Sequence, residues 1–452
     1  MVTKNKTRIL ILGGGFAGLH AAIHLDDTLA RDPDVEITLV NRDNFFLFTP
    51  MLHEVAASDL DLTNIVNPVR KLLKRINFFA GEVEAINLEQ KLVTVSHGFD
   101  HHHHQLPYDH LVLGLGSITN FFNLPGLEQR ALTMKSLGDA IHLRNRLIAH
   151  LEEASTECSA DVRRPLLTFV VAGGGFAGVE TIAGINDFLR EAHRFYPALR
   201  EDMLRVVLVH PGKTILPELG DKLGRYAERK LAERGVEILV NTRVTGVTEN
   251  SVQLSSGEII DSKALIWTAG TSPNPALDSL PCMKERGRLK VDEMLRVPDW
   301  PGLWALGDCA LVPNPKTGQY HPPTAQHALR QGKTLANNLI ATLRGGTLKV
   351  FSFSTIGQLA AIGRRTGVAN IFGINFSGFL AWWMWRTIYL SKLPRFEKKL
   401  RVALDWTLDL LFSKDLVQFQ TFRAPTVSHS PDSEHLSTAD SVSAPPVLES
   451  VS

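Results

Sequence analysis

The sequence predicts an α/β protein with two Rossmann-like domains and a C-terminal amphipathic helical region. Two observations carry this prediction. The string Gly-Gly-Gly-Phe-Ala-Gly occurs at 13–18 and again at 173–178. Each copy stands between an apolar, strand-like run and a helix-compatible run, and a second apolar run follows at 36–40 and at 204–209. The offset of 160 residues is too long for a solenoid and fits a duplicated β–turn–α–β unit.

The composition excludes several classes of protein. A chain of 452 residues predicts about three structural units. Its net charge of +1 argues against a nucleic-acid partner. The three cysteines, Cys158, Cys282 and Cys309, lie far apart, which excludes a CxxC pair, a cysteine-built iron–sulfur site and a disulfide framework. For the run His101–His104 we favour a solvated loop over a metal site, and we expect no metal centre.

The two ends of the chain differ in character. The first eight residues lead directly into an apolar strand, with no room for a leader peptide, so we expect a cytoplasmic location. Residues 424–452 contain no Lys, Arg or aromatic residue and are rich in Ser and Pro, which predicts a disordered tail. The remaining 423 residues hold an excess of basic over acidic side chains, which is compatible with an anionic membrane surface.

The repeated glycines have the chemistry of a pyrophosphate site. In each copy the first glycine permits a tight turn, the third lets the backbone approach phosphates, and the last lets helix and strand pack closely. The phosphates would lie at a helix N-terminus, where free N–H groups attract anions. The expected binding residues are Gly13, Gly15, Phe16, Ala17 and Gly18 in the first copy, and Gly173, Gly175, Phe176, Ala177 and Gly178 in the second.

Three further strand ends support two nucleotide sites. The apolar runs at 108–117, 265–274 and 303–310 each end in a glycine turn. Asp308 follows such a turn and could accept hydrogen bonds from a flavin ribityl chain; the alternative is a simple helix N-cap. We therefore add to the candidate cofactor-binding residues Gly116, Ser117 and Asp308 for the first unit, and Ala269 and Gly270 for the second.

These motifs together resemble the two-dinucleotide-binding-domain flavoproteins, and within them the type II NADH dehydrogenases, the non-pumping NAD(P)H:quinone oxidoreductases. The resemblance covers about residues 8–420. It implies FAD in the first unit and NADH or NADPH in the second. It also implies hydride transfer to FAD, then transfer of two electrons to a membrane quinone. The segments that carry it are 44–52, 173–180, 267–271, 307–310, 325–332 and 378–386.

The resemblance also assigns roles to individual residues. It places Ala325 and Gln326 near the flavin and the quinone, with Thr49 and Pro50 near the ring. It places Glu180 beside the nicotinamide, where the family is proposed to handle protons or position the nucleotide. We take Glu180 and Gln326 as the catalytic candidates. The alternative for Glu180 is a helix-face glutamate without a special role.

The sequence departs from the family pattern at two strand ends, where an acidic residue normally binds ribose hydroxyls. The first position is Asn41, followed by Arg42, and an asparagine can still bind a ribose. The second is His210, which would not repel the 2′-phosphate of NADPH as a carboxylate would, and Lys213 is nearby. One hypothesis is that NADPH is accepted or preferred; the alternative is that NADH specificity is set elsewhere.

The C-terminal region predicts membrane docking. Residues 366–385 carry no charge, but their glycines and asparagines argue against a transmembrane helix. Trp382, Trp383 and Trp385 suit a headgroup interface, and apolar residues at helical spacing follow among basic ones, so 379–411 would lie in the membrane surface. The alternative is a helical pair that packs on the body or in a homodimer.

The predicted domain plan places an FAD-binding domain at 1–125 and 290–345, with an NAD(P)H-binding domain inserted at 126–289. A membrane-docking region at 346–423 and the tail at 424–452 complete it. Three other functions are weighed against this one. A flavoenzyme with a cysteine intermediate would need paired cysteines that the chain lacks. A soluble NAD(P)H oxidase or ferredoxin-type reductase would not need the docking segment, and a redox sensor would not turn over quinone.

Overall fold

The computed structural model describes residues 6–419, so the predicted disordered tail lies outside the described residues. A five-stranded parallel sheet forms the centre of the first unit. Its middle strand, Thr7–Leu12, pairs with a strand on each side, with Ile11 opposite both Leu39 and Val112. Both faces are covered, and this explains the continuous apolar runs. In spatial order the strands are Leu303–Ala305, His110–Leu113, Thr7–Leu12, Val35–Asn41 and Asn77–Ala80.

A second five-stranded parallel sheet repeats the arrangement. Its middle strand places Val171 opposite both Leu208 and Ile266. In each sheet the strand before the glycine turn is therefore central, and the chain crosses over through a helix to its neighbour, as a doubly wound fold requires. In spatial order the strands are Leu132–Thr133, Ala264–Trp267, Thr168–Ala172, Arg205–Val209 and Val236–Leu239.

Within residues 6–419, five long helices cover the two sheets. Phe16–Asp27 and Phe176–Ala192 begin directly after the glycine turns. Leu137–Thr156 begins with a capping box in which Ser136 and Asp139 satisfy each other's backbone N–H groups. The other two are Gly220–Glu233 and Ala325–Arg344. The shorter helices are Leu52–Ala56, Val69–Leu72, Leu127–Arg130 and Ala160–Leu166.

Small antiparallel sheets decorate both units. One consists of Glu82–Asn87, Leu92–His97 and His102–Pro107, so the prediction of a loop at His101–His104 is wrong for the last three residues. This strand is mostly exposed and polar, and therefore shows no apolar alternation in the sequence. Two other antiparallel sheets are Phe45–Leu47 with Val66–Pro68, and Val244–Val247 with Ser251–Leu254 and Ile259–Asp261. A small mixed sheet has Lys284–Glu285 antiparallel to Arg288–Lys290, which pairs parallel with Ala310–Leu311.

Two adjacent strands connect the units. Ser117–Thr119 leaves the first unit and pairs antiparallel with Thr271–Pro273, which returns to it. The indole of Trp267 donates to the carbonyl of Asn120 at 2.8 Å beside this pair. The second sheet is thereby inserted between two neighbouring points of the first unit.

A C-terminal region packs against both units. It starts with an antiparallel sheet of Gly357–Ala361, Gly367–Ile371 and Ile374–Gly378. Two helices follow, which we call the aromatic helix, Phe379–Lys392, and the terminal helix, Phe396–Leu408. Among the described residues, no helix combines the length and apolar character needed to cross a bilayer.

Candidate functional site

The first glycine turn has the predicted geometry. Gly13 has φ of +99°, a conformation that L side chains rarely adopt, and a Cβ there would collide with the carbonyl of Gly114. A Cβ on Gly18 would collide with the carbonyl of Gly13. The turn is therefore tight, and the helix that follows lies close against the strand.

The second turn repeats these contacts. Gly173 has φ of +116°, and a Cβ on Gly178 would collide with the carbonyl of Gly173. Here a side chain lines the back of the turn: Thr268 donates through Oγ1 to the carbonyl of Ala172 at 2.8 Å. Its Oγ1 would lie 2.7 Å from a Cβ on Gly173. Ala269 and Gly270 follow immediately, and Gly270 has φ of +95°.

Both helix N-termini are open to a ligand. A Cβ on Gly15 or on Gly175 would meet no atom within 4 Å. Both residues are helix N-caps, and neither helix receives a side-chain cap. The first-turn N–H groups, including those of Phe16, Ala17, Phe176 and Ala177, are thus available to an anion. The two turns fit the pyrophosphates of two dinucleotides.

The two strand-end residues make equivalent contacts with the middle glycine of each turn. Asn41 accepts through Oδ1 from the N–H of Gly14 at 2.7 Å and donates to the carbonyl of Asp43 at 2.7 Å. His210 accepts through Nδ1 from the N–H of Gly174 at 3.0 Å. Burial lowers the pKa of His210 and favours the neutral imidazole, which also agrees with Nδ1 acting as the acceptor in this contact. Arg42 is exposed, and its guanidinium lies 3.8 Å from the Asp43 carboxylate.

Asp308 belongs to a polar cluster rather than to a helix cap. Its carboxylate accepts from the hydroxyl of Ser117 at 2.8 Å, and Lys135 donates to the same hydroxyl at 2.8 Å. Arg288 donates to the carbonyl of Asp308 at 2.9 Å. The preceding Gly307 lies so near Ala17 that its Cβ would be 3.0 Å from that of Ala17. The cluster therefore lies beside the first glycine-rich helix, and the N-cap alternative for Asp308 is wrong.

The other residues assigned to the flavin side follow different elements. Thr49 and Pro50 form a single helical turn with Met51, directly after Phe48. The Phe48 ring lies 5.8 Å from that of Phe16, at the start of the first glycine-rich helix. Gly116 has φ of +69° and precedes the Ser117 strand.

Ala325 and Gln326 open a long helix capped by Thr324. The Gln326 carboxamide donates through Nε2 to the carbonyl of Gly357 at 2.7 Å. Gly357 begins the first strand of the C-terminal region, and the N–H of Ala361 at its other end donates to Glu180 Oε1 at 3.2 Å. The two catalytic candidates therefore contact opposite ends of the same strand, and those ends, Gly357 and Ala361, lie roughly 13 Å apart.

Glu180 is a buried acid where the second unit meets the C-terminal region. Its Oε1 also accepts from the indole N–H of Trp385 at 2.9 Å. Burial raises the pKa of Glu180 to about 8, against the opposing effect of these two donors. Glu180 is therefore protonated at neutral pH and could donate a proton. It lies on the face of its helix that the C-terminal region covers.

The sequence analysis missed two ionisable neighbours on the short helix Leu52–Ala56. His53 Nδ1 lies 3.8 Å from Glu180 Oε2, and burial lowers the pKa of His53 to about 3. Glu54 accepts from the indole of Trp406 at 3.1 Å, and burial raises its pKa to about 8. Its Oε2 is buried without a hydrogen-bond partner. The sequence feature that could have identified them is the presence of two ionisable residues within the apolar run 51–57.

The prediction that Trp382, Trp383 and Trp385 all lie at a membrane interface is wrong for two of them. Trp383 is exposed, but Trp385 is fully buried and Trp382 is covered by Arg386, whose guanidinium lies 4.2 Å from its ring. Lys398, one of the basic residues of the segment 379–411, is buried and donates to the carbonyl of Thr63 at 2.6 Å. The aromatic helix thus packs one face on the body, as the alternative interpretation predicted.

Cys309 and the histidine run complete the candidates. Cys309 is buried and its thiol contacts two backbone carbonyls, which fits a packing residue; burial raises its pKa to about 11. His97 and His104 approach with their Nε2 atoms 2.6 Å apart on an exposed strand pair. Within residues 6–419, no group of three or more His, Cys, Asp or Glu side chains is arranged to hold a metal ion.

Two glycine-turn units, a strand-end acid beside the first glycine-rich helix and a buried acid within the second define the class: a flavoprotein with two dinucleotide sites. Residues 7–332 match the pyridine nucleotide-disulphide oxidoreductase family, and residues 356–415 match the NDH2 C-terminal domain. The first match covers well over half of the chain, and the second lies within the C-terminal region.

Curated relatives narrow the class. The type II NADH:quinone oxidoreductase Ndh of Mycobacterium tuberculosis is 32% identical over 426 residues, which cover 90% of this chain and 89% of the relative. The demethylphylloquinone reductase NdbB of Synechocystis is 31% identical over 412 residues, covering 90% and 96%. A probable NADH dehydrogenase of Dictyostelium discoideum is 31% identical over 423 residues, covering 91% of each chain. The chain belongs to the type II NADH:quinone oxidoreductase family, which confirms the resemblance.

Solved structures share the fold. NDH2 from Plasmodium falciparum in complex with NADH superposes with a TM-score of 0.86 at 21% identity, covering 91% of this chain and 100% of that one. The sulfide:quinone oxidoreductase of Aquifex aeolicus reaches 0.67 at 16% identity, covering 90% and 94%. These matches confirm the predicted α/β fold with two Rossmann-like units and a C-terminal region.

Proposed function

We propose that this chain oxidises NADH or NADPH and reduces a membrane quinone without pumping protons, while it lies on the cytoplasmic face of a membrane. One observation carries the proposal. Three parts of the chain meet around one buried acid: Glu180 comes from the second unit, His53 from the first, and Trp385 from the C-terminal region. Reduction of a quinone needs protons, and this acid is protonated at neutral pH.

The residues of the two turns bind and orient the nucleotides. The open space over Gly15 and Gly175 admits a pyrophosphate to each helix N-terminus. Ser117 and Asp308 are the proposed residues that orient the chain linking the first pyrophosphate to its ring, and their mutual hydrogen bond supports this role. FAD, when bound, supplies two-electron chemistry between the nicotinamide and the quinone. Thr49, Pro50 and the Ala325–Gln326 pair are the proposed neighbours of its ring.

Glu180 holds the proton. The Trp385 indole and the Ala361 N–H fix one carboxyl oxygen, so the other faces His53. His53 is neutral near pH 7 because burial lowers its pKa, so the contact joins two uncharged groups. The arrangement favours release of a proton from Glu180 when negative charge develops nearby.

An exposed apolar face supports membrane docking. Trp383 and Phe379 project from the aromatic helix, and Phe396 and Leu400 from the terminal helix. Groups of exposed large apolar side chains often mark interaction surfaces in single chains. We call this face the docking face; its exposed members are Phe379, Leu380, Trp383, Phe396, Leu400, Leu404, Leu408, Leu410, Leu411 and Phe412. A second copy of the chain, forming a homodimer, is the alternative occupant.

Stopped-flow spectroscopy of the flavin tests the catalytic proposal. We expect fast reduction by NADH or NADPH, then fast reoxidation by a short-chain quinone and slow reoxidation by oxygen. Reoxidation by oxygen alone would instead favour an oxidase, and reduction without reoxidation would favour a sensor.

Vesicle flotation of surface variants tests the docking. Phe396→Ser with Leu400→Ser should reduce vesicle binding, whereas Phe99→Ser, a fully exposed residue outside the C-terminal region, is the matched control. Truncation is unsuitable because Trp385 and Trp406 are buried against Glu180 and Glu54. Loss of a dimer in sedimentation, with vesicle binding retained, would assign the face to a second copy.

The nucleotide preference is a separate proposal. A neutral His210 at the strand end leaves the ribose site without a carboxylate, which supports acceptance of NADPH. The kcat/KM values for the two nucleotides decide it, and a strong preference for NADH would contradict the proposal.

A further inference from the structure

An open pocket of about 460 Å³ lies at the edge of the docking face, away from both glycine turns. Its walls come from the end of the Phe176–Ala192 helix, the turn at 193–195, the hairpin around Arg364 and the segment 409–413. None of these residues belongs to the nucleotide sites described above.

Charged side chains form the floor of the pocket, and most of them are joined in ion pairs. Arg234 pairs with Asp187 at 2.8 Å. Arg364 pairs with Glu191 at 3.1 Å and with Asp409 at 3.3 Å. These contacts engage all three of the carboxylates that line the pocket. The floor is therefore held in place and has no spare negative charge.

One arginine remains unpaired. Four arginines line the pocket against three carboxylates. Arg190 reaches outside the lining set to Glu201 at 2.9 Å. Arg194 is exposed and, within residues 6–419, has neither an ion pair nor a hydrogen bond to its guanidinium. The pocket thus offers one free fork of N–H donors, the geometry that suits a phosphate.

The rim of the pocket is apolar. Phe195, Leu411 and Phe412 line it and are 55%, 72% and 66% exposed. Leu411 and Phe412 are also members of the docking face, so the pocket and that face share these two side chains. One free arginine beside an apolar rim matches a molecule with an anionic head and hydrocarbon chains.

We propose that this pocket binds the phosphodiester headgroup of an anionic glycerophospholipid, with Arg194 on the phosphate and Phe195, Leu411 and Phe412 against the glycerol and upper acyl chains. This inference rests on the proposed membrane docking and deepens it: the chain recognises one lipid molecule in addition to inserting an apolar face. The site would fix the orientation of the enzyme on the bilayer.

Vesicle flotation of the full-length holoenzyme tests the proposal. Phosphatidylcholine vesicles are compared with vesicles in which part of the lipid is phosphatidylglycerol, at low and at raised salt. The variants are Arg194→Gln and, as a matched control, Arg401→Gln, an exposed arginine of the terminal helix outside the pocket. Flavin content and thermal unfolding show whether each variant is folded.

We expect phosphatidylglycerol to strengthen binding of the unsubstituted chain. Arg194→Gln should lose about fivefold or more of that gain and keep its binding to phosphatidylcholine. The loss should persist at raised salt, where the smaller loss in Arg401→Gln is screened. Phe412→Ser should weaken binding to both kinds of vesicle.

Other outcomes overturn the proposal in distinguishable ways. Equal losses in the two arginine variants would reduce the effect to general attraction. Binding to both vesicle types without a phosphatidylglycerol gain would remove the lipid site and leave docking intact, whereas no vesicle binding at all would overturn docking itself. Calorimetric binding of inorganic phosphate that depends on Arg194, without any vesicle effect, would assign the pocket to a soluble anion.

Discussion

The two glycine-turn units share a backbone and differ in what is attached to it. Gly18 and Gly178 make the same close approach to the carbonyl of the turn's first glycine, and Gly15 and Gly175 leave the same open space. The offset of 160 residues that relates the turns also relates His20 to Glu180. Burial lowers the pKa of His20 to about 4 and raises that of Glu180 to about 8. The repeat therefore conserves the means of holding phosphate, while its helices carry opposite kinds of ionisable group, both uncharged at pH 7.

The largest effect is expected from substitutions in the glycine turns, which are the part that the two units share. A methyl group on the last glycine of either turn meets a backbone carbonyl that cannot move aside, so Gly18→Ala and Gly178→Ala should each destabilise their unit by about 3 kcal/mol or more. Gly18→Ala should lose bound FAD. Gly178→Ala should keep FAD but lose reduction by NADH.

The controls are Gly15→Ala and Gly175→Ala, because their methyl groups enter open space. These should leave the unfolding temperature of the cofactor-free chain nearly unchanged while weakening nucleotide binding. Thermal unfolding and flavin content measure both properties. Equal destabilisation by all four substitutions would contradict the assignment of the open space to a ligand.

The next largest effect is expected at Glu180 and His20, the ionisable residues in which the two glycine-rich helices differ. Glu180→Gln removes a proton but keeps both hydrogen bonds to Oε1, and should slow quinone-dependent flavin reoxidation by about a hundredfold. In the unsubstituted chain that rate should fall as pH rises through about 8, when Glu180 loses its proton. His20→Gln, the equivalent change in the first unit, should leave this pH profile in place. A Glu180→Gln profile that still falls near pH 8 would remove the proton role.

Stability against pH sharpens the same contrast. The folded pKa of Glu180 is raised, so its stabilising contribution is complete below about pH 4.5 and is lost as pH rises towards about 8. The folded pKa of His20 is lowered, so its contribution is present above about pH 6.5 and is lost as pH falls towards about 4.

Urea unfolding at a series of pH values measures these slopes, each at most about 1.4 kcal/mol per pH unit for one group. Glu180→Gln should flatten the decline in unfolding free energy between pH 6.5 and 8, and His20→Gln should not. Glu54 contributes in the same direction as Glu180, so Glu54→Gln should flatten the same window. An unchanged slope in both glutamate variants would mean that neither carboxyl is protonated in the folded state.

The smallest effect concerns the strand ends. His210→Glu places a carboxylate where the 2′-phosphate of NADPH would lie, and should lower kcat/KM for NADPH about tenfold relative to NADH. Asn41→Asp makes the corresponding change in the first unit and should not alter this ratio. A ratio that responds to neither substitution would move the determinant of specificity away from the strand end.

The repeated turns were predictable from the sequence because their geometry is local. A position with φ near +100° and no room for a Cβ requires glycine, so the glycines of the motif predict the conformation of the turn. The parallel strands beside it were equally clear, since apolar runs such as 9–12 and 168–172 are buried on both faces. The family resemblance rested on the combination of motifs at 44–52, 173–180, 267–271, 307–310, 325–332 and 378–386.

The C-terminal region was less predictable because its burial depends on distant partners. Nothing near Trp385 in the sequence states that its indole donates to Glu180, 205 residues away. Amphipathic spacing identifies a helix with an apolar face but not what covers that face, so Trp382 and Trp385 were wrongly assigned to the interface. Glu54 was missed for the same reason: its partner, Trp406, lies 352 residues along the chain.

The antiparallel pair of Ser117–Thr119 and Thr271–Pro273 has a consequence for the history of such a gene. Thr119 and Thr271 are direct neighbours across the two strands, so everything between them leaves and re-enters its host at one place. A duplicated copy of the first unit could be accepted at a single surface loop without separating any strands of the parent sheet, since the entropic cost of a longer loop grows slowly with its length. One duplication and one insertion then suffice to turn a one-nucleotide protein into a two-nucleotide one.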